Sequence, residues 1–98
     1  MNKRYFVCRH AGAIDWAKQQ GIEVDAQIPH LDINDLRRND IVMGTLPVHL
    51  AAEVCAIGAK YFHLTLTIPE HLRGKELTAK EMDECGAQLR SYEVNQSD

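Results

Sequence analysis

Two short β-forming runs each lead straight into a helix start, and this pairing most constrains the fold. The first run, Arg4-Tyr5-Phe6-Val7-Cys8, is aromatic and β-branched and reads as a strand buried on both faces. A helical pattern follows from about Ala13, with Ile14, Ala17 and the stem of Lys18 on one face, and Gly21 supplies its stop. The second run, Asp40 to Leu46, passes at Pro47 into a helix from Val48 to Ile57 that ends on Gly58. Proline suits the first helical turn because its missing N–H had no intrahelical acceptor there.

Between these units, Glu23 to Ile28 alternates polar and apolar as a half-exposed strand does. Asp32-Ile33-Asn34-Asp35-Leu36 offers caps for a short helical turn. Tyr61 to Ile68 also alternates: Phe62, Leu64, Leu66 and Ile68 share one face, and Tyr61, His63, Thr65 and Thr67 the other. That pattern predicts an edge strand, or one covered by a partner subunit. Pro69 to Leu77 is a charged loop. Thr78-Ala79-Lys80-Glu81 is a capping box that predicts a final helix to about Tyr92, and Asn95 to Asp98 reads as a frayed tail.

Strand-helix alternation of this kind predicts one α/β domain over 1–98. Its expected core is a Rossmann-like parallel sheet of about four strands in flavodoxin-like order, with helices on both faces. The 98 residues leave no room for a second core. In that order the first and third strands flank the topological switch point, where ligands bind beyond the carboxyl ends. Those ends carry Arg9-His10 and Gly44-Thr45-Leu46-Pro47.

Composition removes several function classes. A formal net charge of −3 disfavours a binder of long nucleic acid. No apolar run approaches the ~18 residues of a membrane span, and Met1-Asn2-Lys3-Arg4 has no signal-peptide character, so a cytoplasmic protein is expected. Cys8, Cys55 and Cys85 make no C-x-x-C pair and read as small apolar fillers. His30, His49, His63 and His71 have no metal-ligand spacing, and neither metal nor cofactor is expected. No Walker or dinucleotide fingerprint occurs.

At the switch point, Arg9 offers a planar fork of donors for phosphate, and His10 can move a proton near neutral pH. Gly12 lets a helix N-terminus approach an anion closely. Gly44, Thr45, Leu46 and Pro47 offer backbone N–H groups and a hydroxyl, and His49 lies near enough to touch a ligand. The same residues also suit an ordinary exposed loop and a tight strand-to-helix turn. Arg73 and Lys75 read as a solvated loop, with a lid over an anion as the alternative.

Two resemblances bear on these residues. Strand-Arg-His-x-Gly is similar to the opening of the histidine phosphatases, but those have Arg-His-Gly without the inserted residue and use a longer scaffold. The closer likeness spans nearly the whole chain. Phe6 to Trp16, His30-Leu31-Asp32, Gly44 to Val54, Tyr61-Phe62-His63-Leu64 and Arg73-Gly74-Lys75-Glu76-Leu77 resemble a small CRISPR-associated family, the sixteenth in the Csx series. Cys8-Arg9-His10-Ala11 departs from the Ser-Arg-His-Pro expected there.

The resemblance implies a role in type III CRISPR defence. It implies a ring nuclease that cleaves cyclic tetra-adenylate without metal, working as a homodimer. Arg9 would then stabilise phosphate charge and His10 would act as general base or acid. Gly12, Gly44, Thr45, Leu46, Pro47 and His49 would contact the ring. A protein that binds the messenger without cutting it would use the same residues.

Overall fold

The structure is a computed structural model, and it describes residues 2–97; the Asp98 end of the expected frayed tail lies outside the described residues. The elements are β1 (Arg4–Val7), α1 (Ala11–Gln19), β2 (Ala26–Ile28), a 3-10 turn (Ile33–Asp35), β3 (Ile41–Gly44) and α2 (Val48–Ala56). There follow β4 (Lys60–Thr65), a second 3-10 turn (Glu70–Leu72), α3 (Ala79–Glu84) and β5 (Gln88–Tyr92). They build a five-stranded sheet in the order β2-β1-β3-β4-β5. The first four strands are mutually parallel, and β5 runs antiparallel to β4.

The expected α/β fold is therefore present, with β2 on one side of β1 and β3 on the other. Alternation along the strands divides the core into two layers. Phe6, Met43 and Leu64 face α1 and α3, where they pack with Trp16, Ala17 and Met82. Val42 and Tyr61 face α2, where they pack with Leu46, Ala51 and Val54. Helices thus cover both faces. Phe6, Trp16, Val42 and Val54 are fully buried, and Phe6, Val42 and Val54 each contribute about 1.5–3 kcal/mol of apolar transfer free energy.

The sheet is larger than the four strands expected, and not wholly parallel. The final helix stops at Glu84 instead of reaching Tyr92, because Gly86 adopts φ +74 just beyond its last turn. The chain then reverses, and Gln88 to Tyr92 pairs with Thr65 to Tyr61. β4 is consequently an internal strand, not an edge. It ends at Thr65, and Tyr61 on its second face is buried against α2 rather than waiting for a partner subunit.

A buried carboxylate ties the strand starts together. Asp40 accepts hydrogen bonds from the N–H groups of Lys3 (3.0 Å) and Arg37 (2.9 Å), joining the approach to β1 with the turn before β3. Its burial is tolerated because both oxygens have donors.

Candidate functional site

The carboxyl ends of β1 and β3 lie side by side, with Val7 paired to Gly44. Only glycine fits at this position. Gly44 has φ +143, and a Cβ there would lie 2.5 Å from the Val7 carbonyl oxygen. Beyond these ends α1 begins after His10 and α2 begins after Pro47, and no side chain caps either N-terminus. Neither helix start has a side-chain acceptor for its first N–H groups, and the positive end of a helix dipole favours an anion.

A cavity of about 230 Å³ opens at this point. Its walls are mostly apolar, and His10, Thr45, Lys75 and Glu76 add polar groups. His10 Nδ1 lies 2.9 Å from Glu76 Oε1. Both side chains are largely exposed, so the pair contributes little to stability, in the ~0–1 kcal/mol range of surface ion pairs. Its value is chemical: a carboxylate accepting from Nδ1–H leaves Nε2 as the ring's open nitrogen.

The Cys8-Arg9-His10 turn sends its two charged side chains in different directions. Arg9 Nη2 sits 3.2 Å from Nε2 and 3.4 Å from Nδ1 of His30, beyond the end of β2, and Arg9 does not line the cavity. The polar groups after β1 thus form two separate pairs, His10 with Glu76 and Arg9 with His30.

The remaining expected contacts divide. Gly44 and Thr45 line the cavity, and Thr45 is exposed. Leu46 is buried in the α2 layer, and its N–H already donates to Tyr61 Oη at 2.9 Å. Tyr61 Oη is also within bonding distance of His63 Nδ1 and the Gly44 carbonyl. Burial, outweighing the Leu46 N–H donor, raises the Tyr61 pKa above its ordinary 10.0, so the phenol stays protonated and holds the strand-to-helix turn. Pro47 and His49 are exposed at the start of α2 and do not line the cavity. Gly12 serves packing: a Cβ on it would fall 1.9 Å from the Leu77 carbonyl oxygen.

Glu76 and His30 were not singled out as site residues from sequence. Each belonged to a short motif, but neither pairing has a local spacing that announces it. Lys75 lines the cavity beside Glu76, whereas Arg73 turns back to the Ile68 carbonyl.

A larger hollow of about 760 Å³ lies elsewhere on the α1 side, toward the starts of β1 and β3. Its charged residues, Arg4 and Glu23, are paired with each other. The smaller cavity is the better site candidate, because it lies at the switch point and gathers titratable groups. Among the described residues no three His, Cys, Asp or Glu side chains are grouped to hold a metal ion. No helix among them is long and apolar enough to cross a membrane.

A family model described as "Putative CRISPR-associated protein (Cas_VVA1548)" matches residues 5–95. No curated protein and no solved structure matches the chain.

Proposed function

The chain belongs to this CRISPR-associated family, and on that premise we propose that it is a ring nuclease acting on cyclic tetra-adenylate as a homodimer. The observation that carries the proposal is the His10–Glu76 pair at the mouth of the switch-point cavity, beside the uncapped start of α1. A proton-transfer group beside an anion-binding surface is what phosphodiester cleavage requires.

The reaction needs no metal when a ribose 2′-OH is turned in line with its own neighbouring phosphorus. The 2′-oxygen attacks, its proton passes to a base, and the P–O5′ bond breaks as the leaving oxygen takes up a proton. Two such cuts turn the four-membered ring into two linear di-adenylates ending in 2′,3′-cyclic phosphate. Holding the nucleophile in line supplies a large share of the rate. His10 Nε2 is the proton carrier, and Glu76 positions the ring through Nδ1. Arg9 binds a phosphate from its place beside His30. Gly44 and Thr45 line the His10 cavity on the β3 side. A two-fold ligand suits a C2 dimer, which would present each of these groups twice.

One observation favours a second reading. Arg9 is directed at His30 rather than at the His10 cavity, which suits capture of the ring without cleavage. Incubation with cyclic tetra-adenylate in excess EDTA, followed by chromatography, separates the two. Linear products with cyclic-phosphate ends support the nuclease. An intact ring that elutes with the protein supports capture, and a ring that never binds removes both readings.

A further inference from the structure

We propose that the apolar slot behind His10 and Glu76 is a nucleobase site that takes one purine per chain, adenine in preference to guanine. This rests on the reading of the crevice as a nucleotide site, and gives its base-recognition element.

Size is the first argument. The slot holds about 230 Å³, below the ~300–1,000 Å³ of pockets for drug-sized ligands. One flat bicyclic base suits that space, and a dinucleotide does not. Wall chemistry is the second. Phe6 and Ala13 are buried, Leu64 and Leu66 come from β4 and its continuation, and Leu77 and Met82 close the α3 side. The thioether of Met82 is a favourable neighbour for an aromatic ring.

Polarity is the third argument, and it sets the orientation. His10, Thr45, Lys75 and Glu76 are exposed where the apolar lining is buried or half-buried, so these groups stand around the opening. A ligand apolar at one end and anionic at the other matches this layout: base inward, sugar and phosphate outward toward Lys75 and His10. The apolar walls also rank the bases. Both purines carry an amino group and ring-nitrogen acceptors, but guanine adds a carbonyl and a ring N–H. It gives up more water to enter apolar walls while the Glu76 carboxylate is taken by His10, which costs binding free energy. A pyrimidine leaves part of the wall uncovered.

Uncharged nucleosides test the slot apart from the phosphate chemistry. The Met82 methyl resonance should move as adenosine is added, with affinity at least about threefold above that for guanosine or cytidine, a difference of about 0.65 kcal/mol or more. Leu66→Trp fills the slot and should weaken cyclic tetra-adenylate binding about tenfold or more. Ile68→Trp, another half-buried lining residue, should do the same, and serves if the first variant does not fold. An unmoved Met82 methyl at saturating adenosine overturns the slot, as does wild-type ring affinity in a folded tryptophan variant. A ring cleaved normally by those variants removes the slot and leaves the nuclease. Adenosine entering the slot of a protein that ignores the ring removes the nuclease and leaves the slot.

Discussion

His10 Nδ1 and Glu76 Oε1 stand 2.9 Å apart although 66 residues separate them in sequence. The contact joins the turn after β1 to the loop before α3, across the cavity mouth. It also selects a tautomer. With Nδ1–H donating to the carboxylate, Nε2 is left to accept or return a proton.

Removing the carboxylate should therefore slow turnover without loosening the ring. For Glu76→Ala, cleavage of cyclic tetra-adenylate should fall about tenfold, below the ~10²- to 10⁴-fold expected for His10→Ala. Glu76→Gln should recover part of the rate, because its amide oxygen still accepts from Nδ1–H. Single-turnover rates, with ring affinity measured separately and the His10 ¹⁵N tautomer signature read by NMR, check this. Equal rates in all variants would remove Glu76 as a positioning residue.

Arg9 should matter more for holding than for folding, because its side chain is exposed. Arg9→Ala should weaken ring binding about ten- to a hundredfold, matching the ~1.5–3 kcal/mol of a hydrogen bond to a charged group. Its urea midpoint should stay at the wild-type value. Calorimetric titration and a denaturation curve test the two halves.

Gly12→Ala should disturb both fold and site. The new methyl would meet the Leu77 carbonyl oxygen at 1.9 Å and Thr78 Cα at 3.3 Å, and that backbone adjoins Glu76. Forced separation of α1 from this segment should cost about 1–3 kcal/mol or more, as overpacking does. Urea denaturation would show the loss, and the His10–Glu76 signature should weaken in parallel.

Asp40 should make stability acid-sensitive. Burial opposes its ionisation, but the N–H donors of Lys3 and Arg37, helped by the charges of those residues, outweigh it and lower its pKa below the ordinary 3.8. The unfolded chain thus takes up the proton first as pH falls. The stabilisation is complete above the ordinary value and disappears as pH drops through the folded one. Asp40→Asn should remove this dependence and cost about 1–3 kcal/mol at neutral pH, where one buried N–H loses its acceptor. Denaturation series at neutral and acid pH check both.

Local pattern carried most of the architecture. The β-branched runs at Arg4 and Asp40, proline at position 47 and the Thr78 capping box each act through neighbouring backbone, so composition and spacing alone place β1, β3, α2 and the start of α3. The capping box is formed, with Thr78 and Glu81 bonded reciprocally. β5 was legible in principle. Gly86 is a helix stop, and Leu89 alternates with polar neighbours, but a capping box upstream made one long helix the simpler reading. Which strand would cover β4 depends on pairing between distant segments, and that is a tertiary choice.

The switch point followed from strand order, so sequence by itself located the ends at His10 and Thr45. Only the tertiary structure decided how the side chains there are used. It joined His10 to Glu76, turned Arg9 toward His30, gave the Leu46 N–H to Tyr61, and committed Gly12 to packing. The physical reason is one of range. Helix caps, turns and hydrophobic alternation are set within a few residues, whereas exposed polar side chains find partners brought close by the fold, with no periodicity to mark them beforehand.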